Sequence, residues 1–233
     1  MTSGAVAPAA PAGLELKRVR IALDGAVLVP VTSLTVRPGE IVTVMGPSGS
    51  GKSSLLAYLC GTLAPAFRAG GEVRVDGVDV TRLPVERRRI GILFQDDLLF
   101  PHMTVGENLL FAVPRSVEGR GQRRERVRRA LAEAELSGTE DRDPATLSGG
   151  QRARVALMRT LLAQPRAVLL DEPFSKLDDD LKVSMRRFVF DHVRAKGLPT
   201  LMVTHAAEDA RAAGGAVMRI GRPGPGEAGK ESP

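Results

Sequence analysis

The sequence predicts an α/β protein with a mostly parallel sheet, preceded by an N-terminal antiparallel β-subdomain and interrupted by an inserted α-helical subdomain. Short apolar runs that suit buried parallel strands alternate with segments of helical spacing, as in layered α/β folds. Near the start of the chain, two strand-like runs flank a hairpin turn. Between residues 96 and 164 the pattern changes from strand-like to helix-like, which indicates the insertion.

The composition is that of an ordinary folded domain. At 233 residues with 43% hydrophobic content, the chain can form one large domain or a domain with a subdomain. No apolar run approaches the roughly 18–20 residues that a membrane-spanning helix needs. Residues 1–13 do not resemble a secretory signal, and they and the Gly/Pro-rich residues 221–233 are predicted to be disordered tails. The single cysteine, Cys60, excludes an internal disulfide and a cysteine-based zinc cluster, and is predicted to serve packing.

The N-terminal part of the chain predicts antiparallel strands. Two short apolar runs, at 14–19 and 27–31, are separated by an Asp-Gly pair at 24–25 that favours a tight hairpin. The alternating residues 71–75 resemble an edge strand, and a second Asp-Gly pair at 76–77 turns the chain back.

A glycine-rich motif follows the short strand predicted at 41–45. It fits the pattern G-x-x-x-x-G-K-[ST] at every specified position, and consists of Gly46, Pro47, Ser48, Gly49, Ser50, Gly51, Lys52 and Ser53. The apolar spacing of 54–60 predicts a helix behind it, with Gly61 as C-cap. Because backbone amides and a helix N-terminus converge there, the motif predicts a polyphosphate cradle, with Lys52 on the β- and γ-phosphates and Ser53 as a magnesium ligand.

The inserted block begins after a compact apolar run. Residues 90–94 suit a central parallel strand that ends at Gln95. Two capping boxes then predict helix starts, one at Thr104 with Glu107 and one at Ser148 with Gln151.

The positive charge is concentrated in one predicted helix, 123–136, and in the residues just before it. The net charge is +6, and this region contains Arg120, Arg123, Arg124, Arg126, Arg128 and Arg129. These side chains form either a solvated helix face or a surface for lipid headgroups or an acidic partner. Nucleic acid is disfavoured as a partner, because aromatic content is only 3% and base-stacking platforms are scarce.

The C-terminal part returns to alternating strands and helices. Four apolar residues at 167–170 lead into Asp171 and Glu172, two carboxylates at the end of a strand. The elements predicted after them are a helix at 179–196, a strand at 200–204 with His205 at its tip, a helix at 206–213 and a last strand at 216–220.

Together these motifs resemble the ATP-binding cassette (ABC) ATPases, from about residue 14 to 221. The phosphate loop, Gln95, Leu147-Ser148-Gly149-Gly150-Gln151, Asp171-Glu172, Ser175-Lys176-Leu177-Asp178 and His205 occur in that family's order. The stretch beginning at Leu147, the family's signature, discriminates best, because phosphate loops serve many other ATPases. The resemblance is to the ATPase subunit of a bacterial importer, nearest the thiamine-type group and a related uncharacterised group. It implies a P-loop NTPase fold, with a RecA-like core at 14–95 and 165–220 and a helical signature subdomain at 96–164.

The resemblance also assigns roles to the site residues. Asp171, on a strand expected next to the phosphate loop, holds magnesium with Ser53 and Gln95. Glu172 takes the proton from the attacking water, and His205 contacts the γ-phosphate and holds Glu172 in place. Gln95 senses the γ-phosphate, so that the residues expected to act in catalysis are Glu172, His205, Gln95 and Lys52.

A second copy of the chain is the partner that the resemblance implies. Two subunits pack head to tail, and each signature addresses the ATP on the other subunit's phosphate loop. The nucleotide site then gains Ser54 from its own subunit and Ser148, Gly149, Gly150, Gln151 and Asp178 from the signature and interface segments. The dimer works with a membrane permease and, indirectly, a solute-binding protein, at the cytoplasmic face of the inner membrane. Residues 98–101 with Met103 form either the groove for a permease helix or ordinary core.

Three positions depart from the family pattern. Ile21, Ala22 and Leu23 stand where an aromatic residue commonly stacks on adenine, so weaker base selectivity is expected. Ser54 replaces threonine and keeps the hydroxyl. Lys176 replaces a small residue near the dimer interface and brings a like charge close to its symmetry mate, so dimerisation is expected to depend more on ATP or salt.

Three other functions are alternatives to the importer. An ABC-type ATPase of a soluble assembly, such as iron–sulfur cluster construction, shares the fold. A nucleic-acid-handling ATPase head requires a long coiled coil that residues 96–147 are too few to form. A catalytically inactive adaptor is opposed by Lys52, Glu172 and His205, which are all present.

Overall fold

The computed structural model describes residues 13–116 and 119–221, which form two sheets and seven helices. The strands are β1 (Leu14–Leu23), β2 (Ala26–Val36), β3 (Ile41–Met45), β4 (Phe67–Val75), β5 (Val78–Asp79), β6 (Ile90–Leu93), β7 (Ala167–Asp171), β8 (Thr200–Thr204) and β9 (Val217–Arg219). The helices are α1 (Lys52–Cys60), α2 (Val85–Arg88), α3 (Val105–Ala112), α4 (Arg120–Glu133), α5 (Gly149–Leu162), α6 (Asp179–Ala195) and α7 (Ala207–Ala213).

The first sheet is antiparallel, with the order β2-β1-β4-β5. Its hairpin turns at Asp24-Gly25, as predicted, but β4 is an inner strand because the short β5 covers its outer side. Gly13 belongs to the fold, since its amide donates to Asp76 Oδ1 at 3.0 Å and its carbonyl accepts from the Asp76 amide at 2.7 Å. The rest of the tails predicted at 1–13 and 221–233, apart from Gly221, lies outside the described residues.

The second sheet is parallel, with the order β6-β7-β8-β3-β9. Together with the antiparallel sheet it confirms the predicted α/β fold class. Two details of the prediction are wrong. The strand that ends before Gln95, β6, lies at the edge of this sheet rather than at its centre, and β8 separates Asp171 on β7 from the strand that carries the phosphate loop. Its residues Ile90, Gly91 and Ile92 are accordingly only partly buried, although the strand is as apolar as an inner one.

Layers on both sides bury the parallel sheet. On one side α1 and the inner face of the antiparallel sheet pack around Leu169, Leu201 and Val203. On the other side α5 and α6 pack around Leu170 and Met202. Successive side chains of β7 and β8 therefore pack into two different cores on opposite faces of the sheet. This explains why these strands are apolar at nearly every position.

Between β6 and β7 the described chain is helical. Both predicted capping boxes are present, at Thr104 with Glu107 and at Ser148 with Gln151. The arginine helix is α4, which begins at Arg120. The domain boundaries 14–95, 96–164 and 165–220 stay a prediction. Over residues 13–116 and 119–221, the structure has no helix with the length and apolar character to cross a bilayer.

Candidate functional site

The candidate residues meet at one edge of the parallel sheet. Gln95 follows β6, Asp171 and Glu172 end β7, His205 follows β8, and the phosphate loop follows β3. These four strands are consecutive in the sheet, and all point the same way. The carboxyl edge of an open parallel sheet is where such folds bind ligands.

The phosphate loop is built to receive an anion. Gly49 and Gly51 have φ angles of +79° and +91°, which bend the chain into α1 in a conformation that other residues rarely adopt. Gly51 is the N-cap of α1 and offers no side chain to its first amides, while Lys52 Nζ donates to the carbonyls of Gly46 and Pro47 at 2.9 Å. Ser50 Oγ is buried and has no hydrogen-bond partner among the described residues. These amides, the ammonium group and the hydroxyl fit a polyphosphate.

The acidic pair at the end of β7 has a strained second member. Glu172 has a φ of +45°, a left-handed conformation that is costly for a residue with a side chain. Its amide still donates to the Val203 carbonyl at 2.9 Å. Its carboxylate oxygen Oε2 lies 3.2 Å from Nδ1 of His205. The Glu172 carboxylate thus lies beside His205, the residue that follows β8.

Asp171, the first member of the acidic pair, is partly buried. Burial raises the pKa of Asp171, the adjacent Glu172 raises it further, and Lys52 lowers it. Asp171 and the phosphate loop both follow strands at this edge of the sheet, with β8 between their strands. No cluster of three or more His, Cys, Asp or Glu residues suited to a metal exists among the residues described. Oxygen donors on Asp171, Ser53 and Gln95 nevertheless fit Mg²⁺, which takes few protein ligands and completes its shell with phosphate and water.

Gln95 is exposed and borders a cleft of about 540 Å³. The cleft is lined by residues within 93–101, 144–153 and 173–177, including Gly149 of the signature and Lys176. None of the described residues 46–54 lines it. The structure therefore brings Gln95 and the signature to one cleft, and the phosphate loop contributes no residue to its lining.

The signature begins α5. Ser148 is its N-cap: the Gln151 amide donates to Ser148 Oγ at 3.3 Å, and the Ser148 amide donates to Gln151 Oε1 at 3.0 Å. Ser148 is exposed, as is Asp178, the N-cap residue of α6. Both face solvent in the single chain.

Sequence reasoning missed the arginines that hold the segment after Gln95. Arg152 Nε lies 3.3 Å from Asp97 Oδ2, and Arg159 donates to the carbonyls of Asp97 and Leu98 at 3.1 and 2.8 Å. Burial raises the pKa of Asp97, and Arg152 opposes that shift. These contacts span about 55–62 positions in sequence, so no local pattern signals them.

Several other expectations are refined by the packing. Lys176 forms an ion pair with Asp96, so its charge already has an opposite partner within the chain. Ile21 and Ala22 are buried, whereas Leu23 is partly exposed and pairs across the sheet with Phe67. Burial raises the pKa of the Cys60 thiol to about 11, in keeping with a packing role.

The arginine helix is not uniformly exposed. Arg123 turns inward and donates to the carbonyls of Leu110 and Val113 at 3.2 and 3.1 Å, which corrects its place on the solvated face. Arg128 and Arg129 pair with Glu125.

Comparison with known proteins agrees with this arrangement of motifs. Residues 30–175, more than half of the chain, match the family model described as ABC transporter. The chain belongs to the ABC transporter family. The matched range includes the phosphate loop, Gln95, the signature and the acidic pair.

Relatives of this ABC protein include ATP-binding proteins of several transport systems. The uncharacterised ABC transporter ATP-binding protein YnjD of Escherichia coli (strain K12) is 50% identical over 196 residues, covering 84% of this chain and 90% of that protein. The Fe(3+) ions import ATP-binding protein FbpC 1 of Haemophilus influenzae is 39% identical over 197 residues, covering 84% of this chain and 59% of that protein. The sulfate/thiosulfate import ATP-binding protein CysA of Xanthomonas campestris pv. campestris is 41% identical over 202 residues, covering 85% of this chain and 58% of that protein. The chain thus spans less than two thirds of the length of these two import proteins.

A solved structure shares the fold. The ATP-binding cassette MJ0796, described as a dimer in a post-hydrolysis state bound to ADP and Pi, aligns with a TM-score of 0.73 and 30% identity, covering 89% of this chain and 94% of that one. These matches confirm the predicted P-loop NTPase fold and the predicted ABC ATPase of importer type, and they do not favour the soluble-assembly alternative. The specific likeness to a thiamine-type group stays a prediction.

Proposed function

We propose that this ABC ATPase works as a head-to-tail homodimer that hydrolyses ATP beneath a separate permease, at the cytoplasmic face of the membrane. The observation that carries the proposal is that the signature lines a cleft with Gln95 to which residues 46–54 do not contribute, as expected if one chain holds half of each site. The exposed Ser148 and the amides at the start of α5 suit the γ-phosphate of an ATP held by another copy. Two copies related by a two-fold axis complete two sites.

Within each site, the residues at the sheet edge have separate roles in phosphate binding, proton transfer and magnesium binding. Lys52 leaves the Gly46 and Pro47 carbonyls for the β- and γ-phosphates, and the backbone amides of 48–54 hold the remaining oxygens. Glu172 accepts a proton from the attacking water, while His205 fixes the Glu172 carboxylate and donates toward the γ-phosphate. Ser53, Asp171 and Gln95 would hold Mg²⁺. Bound there, the ion would neutralise charge on the phosphates.

The permease contact is proposed for the apolar surface beside the Gln95 segment. Leu98 is 54% exposed and Phe111 is 66% exposed, and Phe100 packs edge-on against Phe111 with ring centroids 5.1 Å apart. Exposed apolar side chains of this size suit an amphipathic helix of a partner. The transported solute is set by the permease and the solute-binding protein. The relatives named for Fe(3+) and sulfate/thiosulfate import show that closely similar ATPases serve different solutes.

The decisive experiment traps the closed dimer. Glu172→Gln keeps the size of the side chain but cannot take up the proton, so ATP should persist between two copies. Size-exclusion chromatography with Mg-ATP is expected to give a dimer for Glu172→Gln and a monomer for the same protein carrying Ser148→Arg as well. A monomer for Glu172→Gln at saturating Mg-ATP would contradict the composite site.

A further inference from the structure

The start of α5 contacts the segment that follows Gln95, residues 96–98, through the ion pair of Arg152 with Asp97. Arg152 Nε lies 3.3 Å from Asp97 Oδ2, and Arg152 Nη1 donates to the Leu147 carbonyl at 2.7 Å. One guanidinium thus contacts both the 96–98 segment and the first residue of the signature. The planar group can make these contacts in different directions because its donors are fixed in a fork.

A second arginine holds the backbone of the same segment. Arg159 Nη1 donates to the Leu98 carbonyl at 2.8 Å and Nη2 donates to the Asp97 carbonyl at 3.1 Å. Its guanidinium carbon also lies 5.4 Å from the centroid of the Phe100 ring. Leu98 has a φ of +47°, so the segment bends where Arg159 holds it. Arg152 and Arg159 stand two turns apart on α5, which fixes the segment at two levels along the helix.

We propose that Asp97 and Arg152 are positioning residues that make Gln95 and the signature move together. The pair passes a change at one site's Gln95 to the signature that the same chain offers to the partner's ATP. This inference rests on the proposed dimer. Neither residue is proposed to touch the nucleotide.

The exposure of the pair separates this role from a stabilising one. The side chains of Asp97 and Arg152 are 29% and 39% exposed, and an ion pair in such a setting contributes little to folding. Arg159, by contrast, holds two carbonyls and an aromatic ring and serves the structure of the segment itself. Breaking the Asp97–Arg152 pair should therefore loosen the link to the signature without unfolding the segment.

Steady-state ATP hydrolysis by the purified full chain tests the pair. Asp97→Asn is expected to lower kcat about tenfold, because small displacements of positioned groups are costly in the chemical step. KM for ATP and the melting temperature should change little, since the phosphate loop is untouched. Asp97→Glu should restore at least half of the lost kcat. Glu125→Gln, which breaks an ion pair on α4, is the matched control and should leave kcat unchanged.

A double variant decides whether the two residues act through each other. If they do, Asp97→Asn combined with Arg152→Gln should be no slower than Arg152→Gln alone. Three outcomes would each overturn the proposal. The double variant could show the product of the two single kcat losses, or Asp97→Glu could be as slow as Asp97→Asn. The third is a kcat for Asp97→Asn within twofold of wild type. The dimer is tested separately: if Glu172→Gln alone does not dimerise with ATP, the proposed function fails. If it dimerises while Asp97→Asn keeps full kcat, only the positioning pair is wrong.

Discussion

Nδ1 of His205 lies 3.2 Å from Oε2 of Glu172, so one contact joins the ends of two neighbouring strands. The two side chains differ in exposure, with 61% of His205 and 23% of Glu172 open to solvent. The carboxylate is thus held at the sheet edge by a group that can itself reach a ligand. Glu172 makes this contact from a left-handed backbone conformation, with a φ of +45° that is costly for a residue with a side chain.

Replacing His205 should therefore slow hydrolysis more than it weakens ATP binding. We expect His205→Ala to lower kcat about 100-fold or more, because Glu172 loses its orienting partner and the γ-phosphate loses a donor. Affinity for a fluorescent ATP analogue should stay within about threefold of wild type, as the phosphate loop is intact. His192→Ala on α6, whose ring contacts the Phe188 carbonyl, is the control. Equal losses in affinity and kcat would place His205 in binding instead.

Removing the ammonium group of Lys52 should abolish nucleotide binding. In the structure Lys52 Nζ is held by the carbonyls of Gly46 and Pro47, so it already lies inside the loop where phosphate oxygens would bind. We expect Lys52→Ala to lower the affinity for Mg-ATP about 100-fold or more, measured by titration calorimetry. Lys196→Ala, at the end of α6, should bind like the wild type. Unchanged affinity for Lys52→Ala would remove the phosphate-loop assignment.

Local sequence rules predict the elements of this site well. The phosphate loop, both capping boxes and the strand-end position of Asp171 depend on residues within a few positions of each other, so they can be read along the chain. Strand order depends on contacts between distant segments. The edge position of β6, and the place of β8 between β7 and β3, therefore had no local signal.

Arginines that contact other parts of the fold mark the other limit of sequence reasoning. Arg88 stands in the run Arg87-Arg88-Arg89, which suggests three solvated cations, yet Arg88 alone is buried. Arg152 and Arg159 similarly lie among polar residues of α5, yet they contact the segment after Gln95. An arginine that satisfies carbonyl groups inside a fold has the same local sequence as one in solvent.

Asp171 should lower the stability of the nucleotide-free protein at neutral pH. Its pKa in the fold is raised by burial and by Glu172, so the folded state resists ionisation of this carboxyl more than the unfolded chain does. The associated stability is fully present below the ordinary value of 3.8 and is lost as pH rises through the raised folded pKa. Asp171→Asn should therefore be more stable than wild type at pH 7, and the difference should close below about pH 4.

Urea denaturation at several pH values, with chelator present, measures this difference. Asp180→Asn, at an exposed position in the first turn of α6, is the control and should change the stability at pH 7 by no more than about 0.5 kcal/mol. The Asp171→Asn protein should also lose Mg-dependent ATP hydrolysis, which would link the stability cost at this position to its function. A lower stability for Asp171→Asn at pH 7 would contradict the environment described for this carboxyl.

Arg88 should be the cation on which the position of the phosphate-loop helix depends most. It is 7% exposed and donates to the carbonyls of Tyr58 and Leu59, at the end of α1, at 2.9 Å each. It also donates to the carbonyls of Leu83 and Thr81 at 2.9 and 2.6 Å. The guanidinium thus binds the negative end of the helix dipole of α1. It also connects that helix to the segment that follows β5 of the antiparallel sheet.

Arg88→Met keeps much of the side-chain volume but leaves four carbonyls without this donor. We expect a loss of about 3 kcal/mol in the free energy of unfolding, measured with urea, because buried acceptors lose their partner. Arg87→Met, next to it and exposed, should cost no more than about 0.5 kcal/mol. Gly61→Ala tests the same contact from the other side, since a Cβ there would lie 2.6 Å from Arg88 Cζ and φ at Gly61 is +81°. If Arg88→Met and Arg87→Met were equally stable, the end of α1 would be held by packing alone, and the carbonyl contacts of Arg88 would contribute nothing to the position of the phosphate loop.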